Sequence, residues 1–150
     1  MLNEDYRDML RILLENDVRF LIVGAYALAA YGYPRATGDL DLWVEPSLTN
    51  SRKILESLIA FGTPAKDLSE ETFTEKGIVL QIGVAPRRID MITAIDGVDF
   101  QEAYGEKKIF EIDNLRIPFL SKNDLIKNKR STGREKDKLD AEYLSKTPDA

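Results

Sequence analysis

Two aspartates stand two residues apart in the segment Asp39-Leu40-Asp41, where their spacing could bring both carboxylates to one point. Polar and apolar residues alternate here, which predicts a strand from Asp39 to Glu45 with one wet face and one buried face. Residues i and i+2 of a strand point the same way, with Cα atoms about 6.7 Å apart. Two such carboxylates can hold one divalent cation or bridge two. An Asp-x-Asp pair is also common at an exposed strand edge or turn.

A third aspartate, Asp90, stands among apolar residues in the run Ile89 to Ile95, which predicts another strand. It has two interpretations: a further metal ligand, or a structural carboxylate paired with Arg88 on the same strand face. Carboxylates about 5 Å apart would repel by about 3 kcal/mol per pair at an effective dielectric constant near 20. A cluster of three would therefore need a divalent cation or protons. We predict a magnesium or manganese site at Asp39, Asp41 and Asp90.

The composition removes other chemistries. The chain of 150 residues contains no histidine and no cysteine. This excludes Ser-His-Asp and Cys-His nucleophiles, thiolate redox chemistry and the usual zinc sites. The glycine patterns of P-loops and dinucleotide sites are also absent from the sequence. What remains is carboxylates, basic residues, hydroxyls and a hard cation held by oxygen ligands.

Charge and hydropathy narrow the setting. The net charge of −5 argues against a general polyanion binder. Basic residues nevertheless outnumber acidic ones between Ser121 and Lys146, either as solvated helix surface or as an edge facing phosphates or a nucleic-acid acceptor. No apolar run approaches the roughly 18–20 residues that cross a bilayer, and the N-terminal residues do not resemble a secretory signal. We expect a cytoplasmic protein that does not contact a membrane.

The predicted elements alternate helices and strands. Helices are predicted at Leu2–Glu15, Ala25–Tyr31, from Ser47 or Thr49 through Phe61, Phe100–Tyr104, Ser121–Lys129 and Arg134–Leu144. Strands are predicted at 19–23, 39–45, 78–84, 89–95, 108–112 and 115–119, with 63–76 mostly loop and a short helical turn. This indicates an α/β (α+β) fold, a mixed, partly antiparallel sheet flanked by helices, as a single domain over residues 1–150.

The first strand ends at Gly24, and a helix follows at once. A side chain at Gly24 would block backbone N–H groups, and the start of a helix carries a partial positive charge that suits a phosphate. The guanidinium group of Arg35, in the loop before Asp39, could donate two parallel hydrogen bonds to phosphate oxygens. The glycine turn and the aspartates therefore predict neighbouring sites for phosphate and metal.

Three ordered blocks, which cover most of the chain, resemble one family. The first is the run Gly24-Ala25 followed by Gly32-Tyr33-Pro34-Arg35-Ala36-Thr37-Gly38-Asp39-Leu40-Asp41-Leu42. It resembles the signature of the nucleotidyltransferase (DNA polymerase β-like) superfamily, and more closely the small bacterial branch related to AbiEii and the minimal nucleotidyltransferase toxins. The stretch from Ile89 to Tyr104 resembles that branch's third-carboxylate strand, and Ser121 to Asp140 resembles its C-terminal helical segment.

The resemblance implies a role for each matching residue. Asp39 and Asp41 would bind the metals, and Asp90 would complete the catalytic site. The turn at Gly24 and Ala25 would hold the triphosphate group of a nucleotide such as ATP. The family's turn is usually Gly-Ser or Gly-Gly; with Ala25 in second place a phosphate-binding hydroxyl is missing, while the backbone donors remain. Further contacts to the nucleotide or acceptor fall on Arg35, Thr37, Lys129 and Arg134.

The implied activity is metal-dependent transfer of a nucleoside monophosphate from a triphosphate to an acceptor hydroxyl. The acceptor is left open among RNA, a protein and a small molecule. The branch also implies a toxin–antitoxin component that works with a partner protein or a second copy of the chain. Two alternatives remain: a non-catalytic nucleotide-binding or regulatory module, and a structural domain with a vestigial site.

Overall fold

The structure is a computed structural model that describes residues 2–33 and 39–148. The helices within these ranges are α1 (Glu4–Glu15), α2 (Gly24–Ala30), α3 (Leu48–Phe61), α4 (Phe100–Gly105), α5 (Lys122–Ser131) and α6 (Glu135–Lys146). The strands are β1 (Phe20–Val23), β2 (Asp39–Val44), β3 (Val79–Ile82), β4 (Arg88–Ile92), β5 (Lys108–Ile112) and β6 (Leu115–Phe119). None of these helices has the length and apolar character needed to cross a bilayer.

The six strands form one mixed sheet in the order β3-β4-β2-β1-β6-β5. The pairs β2–β4 and β1–β6 are parallel, whereas β1–β2, β3–β4 and β5–β6 are antiparallel. The mixed sheet with flanking helices confirms the predicted fold class.

The middle of the sheet is also the centre of the hydrophobic core. All four residues of β1 are buried, as are Leu40, Leu42, Trp43 and Val44 of β2. Each fully buried large apolar side chain contributes about 1.5–3 kcal/mol to stability. The two strands that lead into the candidate site are therefore fixed by the core.

Polar side chains define where the helices begin. Ser47 accepts a hydrogen bond from the backbone N–H of Asn50 (3.1 Å) and Ser121 accepts one from Asp124 (3.1 Å). Ser47, one of the two residues predicted to cap α3, is therefore its N-cap. Such caps contribute about 1 kcal/mol each.

The structure differs from the sequence prediction in the hairpin β3–β4. Both strands are shorter than predicted, and β4 begins at Arg88 because this residue pairs with Asp39 of β2. At the other end, Thr93 leaves the strand and its hydroxyl accepts the Ile78 N–H at 2.8 Å. The paired region therefore stops at Ile92 rather than Ile95.

The segment 63–76 contains turns but no helix. Phe73 is 1% exposed and its N–H donates to Ser51 Oγ at 3.0 Å. One buried aromatic residue thus fastens an otherwise polar loop to α3, and a single isolated Phe gives no periodic signal in the sequence.

Candidate active site

The register between β2 and β4 sets the geometry of the acidic residues. Asp41 lies opposite Asp90, and Asp39 lies opposite Arg88. Because alternate residues of a strand share a face, all four side chains lie on the same face of the sheet. The structure therefore places the three predicted carboxylates on two adjacent strands, together with one arginine.

Arg88 holds Asp90 through both carboxylate oxygens. Its Nε donates to Oδ1 at 3.0 Å and its Nη2 donates to Oδ2 at 2.9 Å. The same Nε lies 3.8 Å from Asp39 Oδ2. A two-point guanidinium–carboxylate contact is among the stronger ion pairs, and Asp90 is only 9% exposed. Asp90 is thus a carboxylate paired with Arg88 in this structure. Its role as a metal ligand remains a prediction.

Asp41 is the carboxylate with the most perturbed ionisation. Burial, followed by the charges of Asp90 and Asp39, raises the pKa of Asp41 to about 6. Arg88 and Lys129 act in the opposite direction but do not offset these effects. At neutral pH Asp41 therefore carries a negative charge that burial and the two neighbouring aspartates destabilise.

Gly24 packs directly against this carboxylate. Its φ of +69° is a left-handed conformation, and a Cβ there would overlap Asp41 Oδ2 and lie 3.1 Å from Asp41 Cγ. The sequence predicts that a glycine at position 24 keeps backbone N–H donors open. The structure gives a second reason, because only glycine leaves room for the Asp41 side chain.

The carboxylate oxygens of Asp39, Asp41 and Asp90 are chemically suitable ligands for a hard cation, but their positions fit a shared metal site only in part. Carboxylates under mutual repulsion are suitable oxygen ligands for magnesium or manganese. Within residues 2–33 and 39–148, however, no three acidic side chains come together as a ligand group for a metal. Both carboxylate oxygens of Asp90 accept hydrogen bonds from Arg88.

Two adjoining hollows of about 320 and 350 Å³ open beside Asp41, and together they form the cleft of the candidate site. Gly24, Asp41, Lys129 and Arg134 line both hollows, whereas Ala25 lines only the second. The structure therefore brings four of the residues predicted to bind nucleotide to one cleft with Asp41. Asp39 and Asp90 do not line it, and Arg35 and Thr37 lie outside the described residues.

A larger hollow of about 520 Å³ lies elsewhere, on the side of α5 that carries Lys122, Ile126 and Arg130. No acidic side chain is among its lining residues. We place the candidate site in the two hollows beside Asp41, because they contain a carboxylate of β2, whereas the hollow beside α5 contains none.

The sequence prediction missed Asp137, which organises the basic side of the cleft. Lys129 Nζ lies 3.3 Å from Asp137 Oδ1. Asp137 Oδ2 accepts the Thr132 hydroxyl at 2.7 Å and lies 2.8 Å from Arg134 Nε. Burial raises the pKa of Asp137, but the Thr132 hydrogen bond and the Lys129 charge outweigh it, so the net pKa is lowered. Asp137 therefore stays ionised and fixes both cations.

A signal for this network exists in the sequence. The buried residues of α6 are Asp137, Asp140, Ala141 and Leu144, spaced as one face of a helix. Two aspartates on the same face as Ala and Leu predict buried, paired carboxylates rather than solvated ones. Lys129, which also lies 3.6 Å from Asp140 Oδ2, is the partner of both.

Comparisons with known proteins identify the fold. No protein-family model and no curated protein matches the sequence. A candidate nucleotidyltransferase of Thermotoga maritima superposes with a TM-score of 0.64 over 97% of this chain and 96% of that one, at 19% identity. The lincosamide antibiotic adenylyltransferase LnuA, bound to lincomycin, gives 0.57 over 97% and 98%, at 13% identity. The antibiotic-resistance factor ANT(2″)-Ia gives 0.55 over 94% and 80%, at 14% identity. The chain thus has the nucleotidyltransferase fold.

The ionisation of Asp41 predicts a pH-dependent stability. Since its folded pKa of about 6 exceeds the ordinary value of 3.8, the folded state binds the proton more tightly than the unfolded state. The unfolding free energy should then fall as pH rises from about 4 to about 6 and stay low above that. With metal chelated, Asp41→Asn should stabilise the protein at pH 8 by roughly 1–3 kcal/mol, as measured by urea unfolding.

The advantage of Asp41→Asn should shrink towards pH 4.5, where the wild-type carboxyl is protonated. Asp67→Asn, in an exposed loop, is the control and should change stability little at either pH. An Asp41→Asn protein less stable than wild type at pH 8 would contradict the assigned electrostatics.

The packing of Gly24 against Asp41 predicts a costly substitution. Gly24→Ala should add a steric overlap with the carboxylate to the strain of a left-handed alanine. Gly77→Ala is the matched control, because Gly77 has a φ of +92° with nothing within 4 Å of its Cβ position. The overlap should make Gly24→Ala less stable than the control by roughly 1–3 kcal/mol. Equal losses in urea unfolding would show that the Asp41 side chain can move away freely.

Proposed function

We propose that the chain is a nucleotidyltransferase that moves a nucleoside monophosphate from a triphosphate to an acceptor hydroxyl. The observation that carries the proposal is the cleft itself: an ionised aspartate of the central strand pair faces a glycine turn and two cations. This arrangement occurs within a fold shared with a lincosamide antibiotic adenylyltransferase and an antibiotic-resistance factor. The fold alone does not define an activity, so the cleft residues must support it.

One side of the proposed site is acidic: Asp41 lines the cleft, and Asp39 and Asp90 lie on the same sheet face without lining it. The other, basic side carries Lys129 and Arg134. Asp39 and Asp41 would hold magnesium or manganese, with Asp90 a further ligand only if its contact with Arg88 breaks. A bound ion would supply charge neutralisation as pyrophosphate leaves and would activate the attacking hydroxyl. These roles agree with the raised pKa of Asp41, since a nearby cation would stabilise its ionised form.

The basic side would bind the phosphates. Asp137 and Asp140 hold the ammonium group of Lys129 at the cleft, and their carboxylates balance its charge. The Arg134 side chain is 74% exposed and contacts Asp137 through Nε, which leaves its guanidinium accessible to a phosphate. We assign the triphosphate to the turn at Gly24 and Ala25, and further contacts to Arg35 and Thr37. ATP is the donor that we propose to test first.

The acceptor is the least constrained part of the proposal. LnuA is an antibiotic adenylyltransferase and ANT(2″)-Ia is an antibiotic-resistance factor. A small molecule with a free hydroxyl is therefore one candidate acceptor. RNA and protein are the others. A toxin–antitoxin role with a partner protein or second copy follows only from the resemblance to the AbiEii branch, and no structural observation bears on it.

A non-catalytic nucleotide-binding module is the second candidate. Two observations favour it: Asp90 is held by Arg88, and Ala25 provides no hydroxyl to a phosphate. Such a module would bind a triphosphate in the same cleft without releasing pyrophosphate. The two candidates therefore differ in turnover rather than in the location of the ligand.

The transferase proposal predicts loss of turnover on removal of the Asp41 charge. With magnesium and each of the four nucleoside triphosphates, wild type should release pyrophosphate and label an acceptor pool of RNA, protein or small molecules. Asp41→Asn should reduce this by at least about 100-fold, a size expected for losing a group that stabilises transition-state charge. Asp67→Asn should retain wild-type turnover.

Calorimetric titration of the same nucleotides separates the remaining possibilities. Binding by wild type that is weakened in the Asp39/Asp41 double Asn variant, without turnover on any acceptor, would favour the non-catalytic module. Turnover that is unchanged in Asp41→Asn would exclude the site altogether.

A further inference from the structure

Arg88 is the first residue of β4, and its side chain contacts acidic residues of both β2 and β4. No step of the transferase proposal uses it. Its guanidinium makes two hydrogen bonds to Asp90 and lies 3.8 Å from Asp39 Oδ2. Asp41, by contrast, has its pKa raised by burial and by the two neighbouring aspartates. One of the three carboxylates is thus neutralised by the protein itself.

The backbone of Arg88 is anchored while its side chain can move. The hydroxyl of Tyr6 donates to Arg88 O at 2.8 Å and to Pro86 O at 3.2 Å, and Tyr6 is 1% exposed. The Arg88 side chain itself is 35% exposed. The guanidinium could therefore leave Asp90 by side-chain rotation towards solvent, without displacement of β4.

The sum of the charges at the site indicates how many divalent ions it can bind in the absence of nucleotide. Asp39, Asp41 and Asp90 together carry three negative charges, and Arg88 supplies one positive charge. One divalent ion then completes the balance, whereas a second ion would leave an excess of positive charge before any nucleotide is bound. In the metal-free protein, the same arginine limits the repulsion among the carboxylates.

We propose that Arg88 is a resident counter-cation that keeps Asp90 out of the metal-ligand set. In the absence of nucleotide, one divalent ion binds at Asp39 and Asp41 with Arg88 in place. Asp90 becomes a ligand only when the guanidinium releases it. The inference rests on the metal site of the proposed function, but it concerns the ligand set and not the transfer reaction.

Manganese binding without nucleotide tests this directly. Titration of the full chain, with free manganese followed by electron paramagnetic resonance, should count one bound ion in wild type. Arg88→Gln frees both oxygens of Asp90 and should raise the manganese affinity at least tenfold. Arg88→Lys retains the charge but cannot form the two-point contact, so it should give a smaller gain and serves if Arg88→Gln folds poorly.

Two further variants separate ligand release from a general change in charge. Arg87→Gln removes the same charge one residue away, at a side chain that lies 3.4 Å from Asp5, and should leave affinity unchanged. In the double variant Arg88→Gln/Asp90→Asn the gain should disappear, because the released ligand is no longer a carboxylate. A gain that persists in the double variant would mean that Arg88 acts only through its charge, and would overturn the proposal.

The remaining outcomes are equally decisive. If wild type binds one ion and Arg88→Gln binds it no more tightly, the role of Arg88 is refuted while the metal site stands. If wild type already binds two ions, Asp90 is a ligand in the presence of Arg88 and the proposal fails. If neither wild type nor Arg88→Gln binds manganese, both this inference and the metal site of the proposed function fall.

Discussion

Repulsion among three carboxylates on one face of the sheet is the constraint on which the candidate site depends. Parallel pairing of β2 and β4 sets Asp41 opposite Asp90 and Asp39 opposite Arg88, so the ladder fixes the backbone positions from which the three carboxylates extend. Arg88 pairs with Asp90, while burial and the neighbouring aspartates keep the pKa of Asp41 raised despite Arg88 and Lys129. A protein of modest stability retains such a feature where the charge serves a ligand.

The rest of the molecule holds this repulsive arrangement in place. The strands β1 and β2 are anchored in the hydrophobic core, so Asp41 within β2 and Gly24 directly after β1 have little freedom to relax. On the opposite side of the cleft, Asp137 and Asp140 fix Lys129 between α5 and α6. The cleft thus sets Asp41 of β2 opposite Lys129 and Arg134, which suits a ligand that carries both a cation and phosphates.

The sequence predicted the fold well because hydrophobic periodicity and turn residues are local signals. The alternation through Asp39–Val44 and the capping Ser121 both led to elements that the structure contains. Strand ends in the hairpin were wrong, since they depend on which residues of a neighbouring strand are in register. The contact of Arg88 with Asp90 was foreseen as an alternative from their spacing. The role of Asp137 was missed, although the helix face that it shares with Ala141 and Leu144 indicates a buried carboxylate; its partner Lys129 lies on another helix, and only the fold identifies that partner.

The proposed function requires Asp39 and Asp41 to hold a divalent cation beside a triphosphate at the glycine turn. A crystal structure with manganese and a non-hydrolysable ATP analogue tests this most directly, since anomalous scattering locates the ion. The proposed function predicts an anomalous peak within about 2.0–2.3 Å of carboxylate oxygens of both aspartates. It also predicts that the triphosphate lies along Gly24 and Ala25. An ion bound elsewhere, or a nucleotide seated in the hollow beside Lys122 and Arg130, would contradict it.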